Sequence, residues 1–546
     1  MTSTTEKERQ LACLSLLYEA VNETCRAGAE AAYSSGVAGQ EESLSDTETF
    51  LCKLAQICDS QKGGDTITAL ACLTGRDGLE YIICSNSRQD SELNECVRFL
   101  TKLLNYVMTN PDELQAKALR KQVLWRILKF NIGRVSLYLK ALFEMVQRCI
   151  NDCYTRGEGH DSPALGYLLA IAERCTFEID MSSTENSESL CMNCPTTTVR
   201  HHASLRPLTD HELVLSSCEN LINIIQDAKA KGLSRILDTR ANVPSNRNWS
   251  QLRHLFGRLQ SYRQAADTII AASVRRPDLL TNFTIQFVSS AAPARSLVPR
   301  GMPLRQLLCD AFPEGFVVPG CAEDLAELEH RGLHGVLTAL QHRHRTKTTV
   351  HCEVLLHGYL RDQGRVSPPQ FLDGACFIAT SKPPCKLCHV YFSATALNIN
   401  NNHNSGQRPF RVRAPHLNMY ARWRLPDMDV ADDNDTAVVA AAAAVAVEDR
   451  NDVLEDMVEQ MQSDTVALLR DKRATWRRND SRTDTHAGFQ SALGMMSSRG
   501  GRGASVSADD VTSTRSQTEV DMAPPRYTPV GSAAPSIAGS WGCQSG

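Results

Sequence analysis

Two short motifs, 34 positions apart, restrict how this chain can fold: His351-Cys352-Glu353 and Pro384-Cys385-Lys386-Leu387-Cys388. If their side chains act together, two separate turns must be held against one another by whatever packs behind them. The second motif is the rarer. At this composition a Pro-Cys-x-x-Cys string arises by chance about 0.03 times, against about 0.7 times for a bare Cys-x-x-Cys. The first motif is common by chance, so its weight comes from order, spacing and placement. Thr349 can cap a helix whose first turn holds His351 and Glu353, and Pro384 can open another whose first turn holds Cys385 and Cys388. First-turn side chains lean back toward the helix N-terminus, so both sets can converge on one ion lying off two helix ends.

The residue types suit a particular chemistry. Two thiolates and one neutral imidazole offset the charge of Zn²⁺ and leave a fourth tetrahedral position open for water. Zinc lowers the pKa of such a water to about 7. Glu353 is a poor fourth ligand and a good proton shuttle, and His-x-Glu with Pro-Cys-x-x-Cys forms the signature of zinc deaminases, which attack C4 of a cytosine or C6 of an adenine. The competing reading is a structural zinc site closed by Cys352 or His357, or a set of unrelated core residues. A closed site calls for a further Cys or His where Glu353 stands.

The string Phe377-Ile-Ala-Thr-Ser-Lys-Pro-Pro-Cys-Lys-Leu-Cys resembles the nucleic acid/nucleotide deaminase superfamily, most of all its Orientia-type branch with many fungal members. Val350-His-Cys-Glu-Val and a downstream Pro415-His416, followed by Tyr420 and Trp423, carry the same resemblance, which covers about residues 280 to 426. It implies a cytidine deaminase-like α/β/α sandwich, with His351, Cys385 and Cys388 as zinc ligands and Glu353 as the acid/base. That fold normally has a pair of strands just before the first motif, where this chain shows the helix-like Ala322 to His342.

At 546 residues the chain exceeds what one hydrophobic core usually serves. Up to about residue 278, apolar residues recur at helical spacing. Asn110, Pro111, Asp112 and Glu113 read as the start of a helix over 114–130, and Thr209 with Glu212 as the capping box of another that stops at Gly232. Beyond 279 the pattern becomes mixed: Thr284 to Ser289, Gly374 to Thr380 and Phe410 to Arg413 read as strands, and Ala322 to His342 and Thr349 to Leu360 as helices. The expected fold class is α + α/β: a helical N-terminal region (1–278), the α/β/α sandwich (279–426), an acidic and Ala-rich segment with one exposed helix at Val453 to Leu469 (427–475), and a disordered tail (476–546).

Net charge of -4 gives no global basic footprint, so nucleic-acid contact would need a local patch. Twenty scattered cysteines with no secretory leader and no run long enough for a membrane span point to an intracellular, cytoplasmic or nuclear protein. Candidate substrate-binding residues are Ser381, Lys382, His416 and Trp423, with Tyr420 beside them; ordinary packing is the alternative for each. The basic run His342, Arg343, His344, Arg345, Lys347 could meet phosphates or be a solvated helix end, and Cys191, Cys194, His201 and His202 form a weak second metal set. The expected partner is a nucleotide or nucleic acid, with a protein partner possible on the helical half. The rival function is a silent deaminase-fold scaffold working through that half.

Overall fold

The computed structural model describes residues 4–28, 44–159, 161–179, 206–208, 211–241, 247–313, 321–343, 347–401, 408–416, 418–427 and 437–472. Helices α1 (Thr4–Gly28) and α2 (Asp46–Cys58) precede a hairpin, β1 (Thr68–Thr74) and β2 (Leu79–Ser85). Helices α3 (Asp90–Thr109), α4 (Ala116–Phe130), α5 (Ile132–Thr155) and α6 (Pro163–Arg174) follow. A short parallel pair, β3 (Phe177–Ile179) and β4 (Arg206–Leu208), leads to α7 (His211–Ala228), α8 (Ser234–Ala241) and α9 (Arg247–Arg275). The remainder is β5 (Phe283–Val288), β6 (Ala294–Arg295), α10 (Leu304–Ala311), α11 (Cys321–His330), α12 (Leu333–Arg343), β7 (Lys347–Val350), α13 (Cys352–Asp362), β8 (Ala379–Thr380), α14 (Lys386–Asn401), β9 (Trp423–Arg424) and α15 (Ala437–Asp471).

The central sheet has the order β5-β2-β1-β8. Strand β1 is antiparallel to both β2 and β8, and β2 is parallel to β5. A smaller sheet, β6-β7-β9, pairs β7 antiparallel to β6 and parallel to β9. Successive strand residues face opposite ways, and here each face meets its own core. Leu70, Cys72, Tyr81 and Ile83 pack into a cluster with α2 to α9. Ala69, Ala71, Leu73, Ile82 and Cys84 pack into a second cluster with α1 and α10 to α15. The result is a three-layer arrangement with helices on both faces of the sheet.

That burial explains why the hairpin is hidden in a helix-like stretch. A strand covered on both faces reads as a short continuous apolar run rather than an alternation. The turn between the runs, Gly75-Arg76-Asp77-Gly78, was the available signal. Gly78 is required there: its φ is +139°, and a Cβ would come within 1.6 Å of the Asn282 carbonyl oxygen, whose strand β5 lies alongside.

The region expected to be helical through 278 therefore supplies both interior strands of the sheet, and α1 packs against α10, α12 and α15 behind the second half. Other expectations shift locally. Asn110 closes α3 in a left-handed conformation (φ 39°) and caps the Leu114 amide, so α4 starts at Ala116. The expected stop at Gly232 is a kink: α7 ends at Ala228, and Gly232, with φ 123°, breaks the wider turn that leads directly into α8. Ala322 to His342 is two helices broken at Gly332 (φ 96°). Thr349 belongs to β7, and the helix cap is His351 itself. Of 374–380 only Ala379–Thr380 is strand, and Phe410 to Arg413 contributes a single bridge, Phe377 to Arg411.

The stretch Val453 to Leu469 is not an exposed helix. Its apolar stripe, including Leu454, Met457, Met461 and Leu469, is buried in the second cluster, and Lys7–Glu455 and Arg450–Glu8 tie α15 to α1. Among the described residues no helix is long and apolar enough to cross a membrane. The tail from 476 and the set Cys191, Cys194, His201 and His202 lie outside the described residues.

A fragment starting at residue 279 would leave β5 and β8 without their neighbours and the second core without α1. We expect it to lack a cooperative thermal transition by circular dichroism; a fragment 279–472 that melts cooperatively would contradict this topology.

Candidate metal centre

The first turn of α13 is fixed by the end of β2. The Cys352 amide donates to Asn86 Oδ1 at 2.8 Å, and Cys84 Sγ donates to the Cys352 carbonyl at 3.0 Å. His351 sits just before this turn with extended backbone (φ −75°, ψ 142°), at the end of β7. The start of α14 is fixed by a different clamp: His416 N donates to the Pro384 carbonyl at 3.1 Å, and Lys386 N to the Asn418 carbonyl at 3.0 Å. His416 itself is held by the Asn418 amide on its Nδ1 at 3.0 Å.

These clamps bring the three expected ligands together. His351 Nδ1 lies 3.5 Å from Cys385 Sγ and 3.3 Å from Cys388 Sγ, and the two sulfurs are 3.5 Å apart. A tetrahedral zinc with bonds of roughly 2.3 Å to sulfur and 2.0 Å to nitrogen implies S···S of about 3.8 Å and S···N of about 3.5 Å. The triangle fits such an ion with a contraction of a few tenths of an ångström. Among the described residues, His351, Cys385 and Cys388 are a group of donor atoms close enough to share a metal, and Glu353 stands outside that group.

Both cysteines are buried, whereas His351 keeps part of its surface open. Burial opposes ionisation of Cys385, but a hydrogen bond from Cys388 and the His351 charge hold its thiol well below the ordinary range. Burial, and then Cys385, push Cys388 well above it. Burial also works against the His351 imidazolium, but Cys385 and Glu353 outweigh it and raise the His351 pKa. The metal-free set thus holds protons that a divalent cation would displace.

Glu353 is 4 % exposed, in the first turn of α13, and accepts from Cys352 Sγ at 3.5 Å. Trp423 is turned to the metal set: Nε1 donates to Cys388 Sγ at 3.2 Å, an arrangement set by the Thr349–Trp423 register of β7 and β9. Ser381 is directed elsewhere. Its hydroxyl takes the Thr68 amide at 3.1 Å and reaches Asp59 at 3.5 Å, joining β8 to β1. Half-buried Lys382 acts electrostatically on both Asp59 and His351. His416 is buried, and half-buried Tyr420 bridges it to the site, with ring centres 5.9 Å from His416 and 6.1 Å from His351.

Cys352 and His357 do not close the set. Cys352 is fully buried beside Cys84, and His357 Nδ1 pairs with the Tyr391 hydroxyl at 2.7 Å among Phe392 and Phe410. Sequence reasoning missed Asn86, Cys84 and Asn418. The first two lie more than 260 positions before the turn they hold, and no local motif marks them.

Residues 350–427 match the family model described as OTT_1508_deam-like deaminase. That segment is similar to a deaminase domain. The matched segment runs from the end of β7 through the turns that carry His351, Cys385 and Cys388 to just past β9. No curated protein and no solved structure matches the chain.

Two outcomes follow from this geometry. Removing a group that hydrogen-bonds a ligand typically lowers metal affinity about 10- to 100-fold. Trp423→Phe, which keeps the ring and deletes the N–H, should weaken zinc binding by about tenfold in a chelator competition; unchanged affinity would remove Trp423 from this role. Burial, with Arg361, pushes His357 down to about 3. Because its folded pKa is depressed, the unfolded chain binds the extra proton between about pH 6.5 and 3, so stability falls as pH falls through that window. In His357→Phe, denaturant midpoints should depend less steeply on pH there than in the unaltered protein.

Proposed function

We propose that this protein is a zinc-dependent hydrolytic deaminase acting on a cytosine or adenine carried by a nucleotide or nucleic acid. The observation that carries the reading is the His351, Cys385, Cys388 triangle, with the Glu353 carboxylate buried beside it and outside the ligand group. The three-layer arrangement around the sheet supports a cytidine deaminase-like sandwich, in which the strand pair before the first motif is supplied by β1 and β2 from far upstream.

His351, Cys385 and Cys388 would hold the ion, and Trp423 would orient Cys388. When bound, zinc supplies the Lewis acidity that lets a water lose a proton near neutral pH. Glu353 would take that proton and deliver it to the ring nitrogen of the base, then carry the proton of the hydroxyl newly added to the ring carbon to the exocyclic amine, which leaves as ammonia. Its burial favours this work, since a carboxylate away from bulk water exchanges protons with the base rather than with solvent. Tyr420, half-buried beside His351, offers a ring face to an incoming base. The charge of half-buried Lys382 acts on His351 and would favour an anionic substrate.

Glu353→Gln should retain about one zinc per chain by elemental analysis, while ammonia release from cytosine- or adenine-containing substrates falls at least about 100-fold. Cys385→Ser should lose the metal as well. Zinc-loaded protein that releases no ammonia from any such substrate, matched by an indistinguishable Glu353→Gln, would leave the domain a scaffold.

A further inference from the structure

A groove of about 420 Å³ lies between α1 (Ala12, Leu16), the 295–300 loop, Gln341 at the end of α12, and Ala421, the residue after Tyr420. Arg295 and Arg300 line it. Lys347 joins them, because the antiparallel register of β6 and β7 sets it directly opposite Arg295. Arg422 completes the group, its Nε donating to the Lys347 carbonyl at 3.0 Å. All four side chains are exposed, and among the described residues none is paired with a carboxylate. Glu19, an acid on α1, is buried and accepts the Ala421 amide at 3.1 Å.

Like charges directly opposite on neighbouring strands destabilise a sheet. The Arg295–Lys347 pair therefore carries a standing cost that a polyanion would relieve. Two short stretches of chain lead from the groove and its cations to the site. Ala421 follows Tyr420, whose ring faces His351, and β7 runs from Lys347 straight to His351. Four extended residues span about 13 Å. That exceeds the reach from a base to its own 5′-phosphate, so these cations suit the phosphates of neighbouring nucleotides.

We propose that this groove is a track for the backbone of a single-stranded nucleic acid, leading one base into the metal centre. The inference rests on the deaminase reading for its choice of substrate, and it narrows that reading from a free nucleotide to a polynucleotide. A single strand is required because a base paired in a duplex cannot reach a buried site. Neutral Leu16, Val298 and Pro299 between the cations give the sugars and bases an apolar floor.

The test uses the full-length, zinc-loaded chain carrying Glu353→Gln, so that binding is read without turnover. Anisotropy of labelled 15-nucleotide single-stranded RNA and DNA should show binding that weakens steeply with salt. Arg295→Glu with Arg300→Glu should lower affinity at least tenfold and reduce the log-log salt slope by about 1.4, since each lost phosphate contact removes about 0.7 on a single strand. Zinc content and melting temperature should stay the same. Equal binding by the charge-reversed protein, salt-independent binding, or full competition by a nucleoside triphosphate at equal phosphate concentration would overturn the track. Intact binding in a wild-type protein that releases no ammonia would instead sink the deaminase reading and leave the track standing.

Discussion

The hydrogen bond from the Cys352 amide to Asn86 joins the two halves of this protein at the point where its chemistry is prepared. The first N–H groups of a helix have no partner within it, and one buried without a substitute costs about 1–3 kcal/mol. Asn86 supplies that partner from the residue following β2, and Cys84 takes the Cys352 carbonyl from the same strand. The position of His351 and Glu353 is thus inherited from the hairpin, and the hairpin is rigid because both its faces are buried. Tyr81 and Ile83 are anchored in one core and Ile82 and Cys84 in the other. A small rotation of β2 would move the turn that carries His351 and Glu353.

The same layered construction decides how charge is carried near the site. Asp59, just past α2, is 2 % exposed and pairs with Arg134 at 2.5 Å while touching Ser381. Burial alone would raise its pKa, but Arg134 and Lys382 hold it below the usual carboxylate range. The strand that delivers Cys385 is consequently attached, through Ser381, to a buried ion pair from the N-terminal half. Removing one partner of such a pair costs about 3–5 kcal/mol. The helical layer behind the sheet is therefore structural support for the site, whatever else it binds.

What was legible in the sequence and what was not divide along a physical line. His351, Cys385 and Cys388 could be read because a tetrahedral ion demands particular atoms at particular spacings, and that demand is written locally. Glu353, two positions from His351, was singled out by the same local motif, and the structure buries it in the first turn of α13. The β1–β2 hairpin was not, because double burial erased its alternation and left only a Gly-x-x-Gly turn as a trace. Ser381 lay in the right string, yet the hydroxyl is used by Thr68 and Asp59, partners that no local reading could supply. The helix Val453 to Leu469 looked exposed because its apolar stripe is narrow; its cover, α1, lies at the other end of the chain.

The cysteines show how far composition can mislead. Sixteen with described side chains are free thiols, and all but Cys309 are buried. Most behave as small apolar core residues: burial pushes Cys13, Cys72, Cys149, Cys175 and Cys218 up to about 12, where the thiolate needed for oxidation or metal binding is scarce at neutral pH. Cys385 is as deeply buried and behaves in the opposite way, because Cys388 and His351 stand within hydrogen-bond reach of its sulfur. What separates a packing thiol from a candidate ligand here is the company it keeps, and Pro384-Cys385-x-x-Cys388 writes part of that company into neighbouring positions.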